Sequence, residues 1–347
     1  VDRGVPSDAG RPWDGSRSAF FGNPDFNRAG AEVNVLTARL EHEFSDNLTL
    51  RNATVFGDYS KYYRNIHANG QVCVIANGCP VGQVDGDVAL QGYQSTNDRE
   101  NLFNQTDLIW RTSTGSIEHT VLAGLEFGRQ ESDNTRSGNF NALPSVNVNT
   151  STTTTSTGLI PAGLQTDNTV EADIAALYLQ DQVRLNDQWQ IVAGVRFDRF
   201  DLDYDNHLGA DFSREDELVS PRLGVIYRPL EPLTFYASYS VSFLPQSGDQ
   251  FSSLDANTAA LEPEEFENLE LGMKWDLTPD LALTAAIYRL DRTNTRHSPS
   301  PGVVLLTGAQ RSEGIELGIS GAVSDHWEVM GGYGYQEAEI TSDTSAA

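Results

Sequence analysis

The stretch "ARLEHEFSDNLTLRN", Ala38 to Asn52, decides how the rest of the chain is read. Leu36, Ala38, Leu40 and Phe44 fall on one side of an alternating segment, and Thr37, Arg39, Glu41 and Glu43 on the other. A three-residue turn, Ser45-Asp46-Asn47, reverses the chain, and alternation resumes. Period two on both sides of a polar turn is the pattern of a β-hairpin with two unlike faces. The pattern alone leaves open which face meets water and which meets something apolar.

The device recurs. In "LTFYASYSVSF", Leu233, Phe235, Ala237, Tyr239, Val241 and Phe243 alternate with Thr234, Tyr236, Ser238, Ser240 and Ser242. In "NLELGMKWDL", Leu269, Leu271, Met273, Trp275 and Leu277 oppose Glu270, Gly272, Lys274 and Asp276. "VEADIAALYLQDQVRL" sets Ala175, Leu177, Leu179, Val183 and Leu185 on one face, interrupted by Asp181. "QWQIVAGVRF" and "EGIELGISGAV" repeat the arrangement, and helical periodicity competes in none of these segments. The pattern predicts about twelve strands, near 33–44, 47–62, 97–111, 116–131, 171–185, 188–204, 215–229, 232–243, 265–277, 280–294, 309–323 and 326–341. In the second strand Leu48 and Leu50 point one way while Ala53, Val55 and Tyr59 continue on the other parity, which reads as a bulge or a change of environment near the strand end.

Connections sort by length. Those at 45–47, 113–115, 186–187, 229–232, 278–280 and 324–326 are short, and those between, at 62–97, 131–171, 204–215, 244–264 and 294–309, are long. In an up-and-down meander this places every tight turn at one end and every long loop at the other, as in outer-membrane barrels. Phe44, Trp189, Tyr227, Phe235, Trp275 and Trp327 lie close to the short turns, where an aromatic girdle belongs. The expected fold is all-β: an antiparallel up-and-down transmembrane β-barrel, apolar face to lipid and polar face to a watery lumen. No stretch is long and apolar enough for a membrane-spanning helix. Arg39, Arg51, Arg196, Arg222 and Glu270 share the polar faces, where they would pair with each other or with a body inside the lumen.

With 49 acidic and 23 basic residues in 347 the net charge is −26, which repels nucleic acid. Aromatic and apolar content exceeds that of disordered chains. The first residues, "VDRGVPSDAGRPWDGS", read as a polar loop rather than a leader. Cys73 and Cys79, in the loop "GQVCVIANGCPVG", suit a small disulfide ring in an oxidising compartment, with a metal site and two free thiols as the alternatives.

Four runs carry a family resemblance: "LEHEFSDNLTLRNATVFGDYSKYY" (Leu40–Tyr63), "GVRFDRFDLDY" (Gly194–Tyr204), "VSPRLGVIYRPLEPLTFYASYSVSF" (Val219–Phe243) and "LEPEEFENLELGMKWDL" (Leu261–Leu277). They resemble the barrel of TonB-dependent outer-membrane receptors, in the ferric-siderophore branch and nearest its catecholate type, over nearly the whole chain. The resemblance implies a Gram-negative outer-membrane location, a barrel of 22 strands filled by a plug domain, a ferric siderophore as ligand, and energy delivered by TonB through the plug. The chain then corresponds to the middle of the barrel, residues 1–347 without plug or closing C-terminal strands, and such a piece has two unpaired edges. A passive porin-type channel and a soluble β-rich binding protein are the rival readings.

Catalytic motifs are missing: no serine-nucleophile elbow, phosphate loop or zinc pattern occurs, so an enzyme is not expected. The six histidines, at 42, 67, 119, 207, 297 and 326, are scattered. Asp201, Asp203 and Asp205 begin like a calcium loop, but Asn206 and Phe212 stand where its Gly and Glu belong, leaving only adventitious Ca²⁺. A ferric catecholate is anionic and ring-bearing, so its contacts would be cations and aromatics at the long-loop end. The candidates are Arg136, Phe140, Phe243, Gln246, Arg296 and His297.

Overall fold

The computed structural model describes residues 5–8, 10–16, 18–75, 79, 82–138, 143–154, 163–245, 262–300 and 303–342, with side chains 296–300 and 303–307 excepted. Twelve long strands form one antiparallel sheet in chain order. They are β3 (Arg28–Ser45), β4 (Leu48–Ala68), β6 (Leu90–Thr114), β7 (Ile117–Gly138), β9 (Leu164–Arg184) and β10 (Trp189–Asn206), then β11 (Phe212–Leu230), β12 (Leu233–Leu244), β13 (Glu264–Thr278), β14 (Leu281–Ser300), β15 (Val303–Ser324) and β16 (Trp327–Ser342). Of four two-residue strands, β1 (Ser7–Asp8) and β2 (Arg11–Pro12) pair in the segment before β3, and β5 (Asp87–Val88) and β8 (Val146–Asn147) pair between two connections. Among the described residues the sheet does not close on itself: β3 and β16 are its two edges, each with one unpaired side, as the resemblance implied.

Residues directly opposite in an antiparallel pair share a face, so the registers extend each strand's alternation into rows across the sheet. One apolar row runs Leu125, Leu177, Phe197, Val219 over β7, β9, β10 and β11. Another runs Leu271, Ile287, Ile315, Tyr335 over β13 to β16. These side chains are exposed, with Leu36 at 69 % and Trp327 at 74 %, and no second sheet is stacked on them among the described residues. A soluble sandwich would bury this face. On β10 the outward apolar run extends from Trp189 through Phe197 and ends at Arg199. The ten steps from Trp189 to Arg199, at about 3.3 Å each and tilted by about 40°, span about 25 Å, the height of the lipid-facing band of an outer-membrane barrel.

The turns at 46–47, 115–116, 185–188, 231–232, 279–280 and 325–326 lie at one end, beside Phe44, Trp110, Trp189, Trp275 and Trp327 on the outward face. Trp189 stacks on Tyr227 of the next strand with ring centroids 4.3 Å apart. At the 185–188 turn the Asn186 side-chain oxygen accepts the amides of Gln188 and Trp189 at 2.9 and 3.0 Å.

Two expectations are corrected. Of the two readings of the second strand the bulge is not found: β4 pairs β6 without a shift from Leu48 to Ala68. Ala53, Val55 and Tyr59 stay on the inner face throughout, and the apolar alternation breaks because polar residues interrupt the outward face. These are Asn52 and Thr54 on β4, opposite Thr106 and Asn104 on β6. They satisfy one another: Asn52 Nδ2 donates to Thr106 Oγ1 at 2.8 Å and to Asn104 Oδ1 at 3.2 Å, and Asn104 Nδ2 donates to Thr54 Oγ1 at 2.7 Å and to Asn52 Oδ1 at 3.2 Å. A closed set of this kind is tolerable in hydrocarbon, where an unpaired amide is not. The outer connections are also shorter than predicted, since only 207–211 separates β10 from β11, and β14 and β15 run on to Ser300 and from Val303. The asymmetry between the two ends comes as much from strands projecting beyond the apolar band as from loops.

Candidate functional site

At the projecting end, two connections and the segment before β3 fold into one body over the strand tips. Phe21 of the segment before β3 packs with Ile66, Val72, Val88, Leu90 and Val146 in a buried core. Backbone bonds tie the pieces together: Val72 donates to the Ser7 carbonyl at 2.8 Å, Thr154 to Gly22 at 2.9 Å and Val148 to Gly86 at 2.9 Å. The body is fastened to β4 through Asn27, whose Nδ2 donates to the Ile66 carbonyl at 2.9 Å and whose Oδ1 accepts the Ile66 amide at 2.8 Å. Cys73 and Cys79 are joined in a disulfide, Cα atoms 5.3 Å apart, which settles the three readings of that pair.

Below this body an aromatic and cationic cluster faces inward. The Tyr93 ring on β6 is buried, and the Arg136 guanidinium of β7 lies 4.5 Å from its centroid. Tyr63 and His67 of β4 meet the same ring edge-on at 5.5 and 5.7 Å, and Lys61 Nζ lies 5.7 Å from the Tyr63 centroid. Arg136 Nε also donates to Gln165 Oε1 at 3.3 Å. Beside the cluster a chain of amides crosses four strands: Asn97 donates to Asn134 at 2.7 Å, Asn134 to Asn168 at 3.0 Å, and Asn168 to the Tyr204 hydroxyl at 2.9 Å. Such a chain fixes the spacing of the strand tips. The cluster offers a cation, ring faces and hydrogen-bond donors to an anionic, ring-bearing ligand.

Arg136 is the one sequence candidate placed in this cluster. Phe243 is on the parity of Phe235 and Tyr239, the outward face of β12. The backbones of Arg296 and His297 lie in β14, opposite Leu306 and Leu305, and their side chains are outside the described residues. Phe140 and Gln246 also lie outside the described residues. Asp201, Asp203 and Asp205 follow one another on one face of β10. Sequence reasoning missed Tyr63, Tyr93, His67 and Lys61. The interleaving of aromatic and basic residues in "KYYRNIH", Lys61 to His67, was the available signal.

Further down, the inner wall is built from ion pairs and flat-lying rings. Arg196 reaches Glu126 at 3.0 Å and Asp198 at 2.7 Å, and Arg51 reaches Glu41 at 2.6 Å. Tyr178 lies across Gly124 of the neighbouring strand and Tyr236 across Gly272, so close that a Cβ at either glycine would overlap the ring, at 2.1 and 2.3 Å. Their hydroxyls donate to Asp107 and Glu270. Among the described residues no group of three or more His, Cys, Asp or Glu is placed to hold a metal ion.

At the outermost turn, His207 links β9 to β10. Its Nδ1 is 3.0 Å from Asp167 Oδ1, its backbone amide donates to the Asp167 carbonyl at 3.0 Å, and Nε2 is 3.9 Å from Asp205. The hydrogen bond to Asp167, aided by the charges of Asp167, Asp205 and Asp133, raises the imidazole above its ordinary value near 6.5. A raised histidine contributes order below its unfolded pKa and loses it as pH climbs through the folded one. Amide exchange at 206–209, corrected for intrinsic rate, is therefore expected to be slow at pH 6 and to accelerate above neutrality. Asp167→Asn should flatten this dependence, and equal protection at pH 6 and 8 in the parent would refute the latch.

Comparison with known proteins follows the same line. The TonB dependent receptor-like, beta-barrel family matches residues 2–347. The metal-pseudopaline receptor CntO of Pseudomonas aeruginosa is 30 % identical over 95 % of this chain and 46 % of its own length. The catecholate siderophore receptor Fiu of Escherichia coli is 28 % identical over 94 % of this chain and 47 % of its own. The closed-form crystal structure of Fiu superposes with a TM-score of 0.79 at 26 % identity, covering 93 % of this chain and 49 % of Fiu. The fold of the siderophore receptor PiuA from Acinetobacter baumannii matches with a TM-score of 0.84 at 24 % identity, covering 99 % of this chain and 53 % of PiuA. The chain spans about half the length of the relatives it matches, and these comparisons support neither the passive-channel nor the soluble reading. With its outward apolar band, polar inner wall and open edges, this chain belongs to the β-barrel family of TonB-dependent receptors and makes up part of such a barrel.

Proposed function

We propose that the receptor containing this chain sits in the outer membrane of a Gram-negative bacterium and takes up ferric siderophores. A plug domain inside the barrel would carry the energy of TonB, and the protein would catalyse no reaction. The observation that carries the reading is the Arg136–Tyr93 stack with Tyr63, His67 and Lys61, facing inward at the projecting end of a chain that is otherwise strongly acidic. Local positive charge on ring faces suits a catecholate chelate, the ligand class in the name of Fiu. The name of CntO specifies a metal-pseudopaline ligand instead, so the ligand class needs its own test.

In the full-length receptor, Arg136→Gln is expected to weaken binding of the iron(III) complex of 2,3-dihydroxybenzoate about tenfold, read by intrinsic fluorescence quenching. A charge-assisted contact of about 1.5 kcal/mol accounts for that factor. A hydroxamate chelate run beside it should bind weakly to parent and variant alike. Unchanged catecholate affinity would move the site to Phe140, Gln246, Arg296 or His297.

A further inference from the structure

A recess lies deeper on the inner wall, lined mainly by β9 to β12 with Gln105 of β6 and Leu122 of β7, with a volume of about 670 Å³. Gly194, Gly224, Ser238 and Ser240 form its floor, and Tyr178 and Tyr236 also line it. It holds two guanidiniums. Arg196 is neutralised by Glu126 and Asp198. Arg222 has no carboxylate within 4.0 Å among the described residues, in a chain where acids outnumber bases by 49 to 23. Its stem lies across β10, since a Cβ on Gly194 would stand 3.2 Å from Arg222 Cγ. The β11–β12 ladder also stops here: its last pair is Arg222↔Ser240, and the next residue of β11, Pro221, has no N–H to continue it.

We infer that this recess is an anion site, in which Arg222 and the hydroxyls of Ser238 and Ser240 receive a carboxylate or the negative edge of a chelate presented from inside the barrel. A guanidinium with neighbouring hydroxyls on a floor of glycine and serine matches the planar, multi-acceptor edge of such a group. The inference rests on reading the chain as a receptor wall. Two sources carry the same chemistry: an acidic side chain of the domain that fills the barrel, or an anionic iron chelate in passage.

Arg222→Gln in the full-length receptor separates them, with thermal midpoint, surface binding and uptake of iron(III) 2,3-dihydroxybenzoate measured in parallel. A protein carboxylate in the recess predicts a midpoint lowered by about 3 °C. A chelate in passage predicts an unchanged midpoint, surface binding within twofold and uptake reduced about tenfold. A midpoint within a degree of the parent together with uptake within twofold overturns the site. Ser238→Ala combined with Ser240→Ala removes donors and keeps the charge. It should reproduce the same loss at about a third of the size, and parental behaviour in it is equally fatal if Arg222→Gln fails to assemble. If the parent takes up no iron the receptor reading fails, while the midpoint still reports on the recess.

Discussion

Leu317→Arg is expected to cost the assembled barrel about 2–4 kcal/mol, the penalty for a guanidinium on a lipid-facing position near mid-membrane. Leu317 is exposed on the outward face of β15, in the row Ala285, Leu317, Tyr333. Ser320→Arg, three residues along the same strand, falls on the inner face and should stay within about 0.5 kcal/mol of the parent. Denaturant unfolding of the full-length receptor in liposomes measures both. Only a one-sided sheet in lipid predicts so large a difference between two arginines so close in sequence. Equal costs would mean that water bathes both faces.

The second large effect concerns a hydrogen-bonded histidine–aspartate pair on the apolar side. His119 Nδ1 lies 2.6 Å from Asp181 Oδ2, and the registers put both residues among Val121, Leu179, Val183 and Ala193. The other carboxylate oxygen, Asp181 Oδ1, is shut off from solvent and has no hydrogen-bond partner. A carboxylate in such a place is held by its hydrogen-bond partner or not at all. His119→Leu, which abandons the carboxylate, is expected to cost about 3 kcal/mol. Asp181→Leu should cost about 1 kcal/mol, because it removes one hydrogen bond and leaves no carboxylate without a partner. The double Leu variant should return to the parent's stability or exceed it. A double-mutant cycle by denaturant unfolding reads the coupling, and simple addition of the two single costs would show that the pair does not interact.

The two faces were legible because a single sheet offers a side chain only two directions, so the parity of Leu36, Leu40 and Phe44 carried over to every strand hydrogen-bonded in sequence. The turns were legible because Ser, Asn, Asp and Pro interrupt that parity at one end. The supposed bulge at Ala53–Tyr59 came from reading polarity as geometry: Asn52 and Thr54 are polar on the outward face because their partners Asn104 and Thr106 answer them from β6, about fifty residues away. Strand lengths were underestimated where β6 and β9 begin, at Leu90 and Leu164, since beyond the apolar band both faces are polar and alternation loses its contrast. The site was half legible. Arg136 could be picked by type and by its place after a strand, but its stacking on Tyr93 joins β7 to β6 and depends on a register that no local pattern encodes.

The tyrosines that lie flat on glycines give the interior a low relief. Tyr178 on Gly124 and Tyr236 on Gly272 press their rings against the neighbouring backbone and anchor the hydroxyls sideways, so these large side chains do not project into the bore. A body seated inside would meet a planed surface and could turn or withdraw without unthreading interlocked side chains. Roughening it needs only a methyl group: alanine at Gly124 would lever the Tyr178 ring off the wall and leave a burr in the path of whatever slides past.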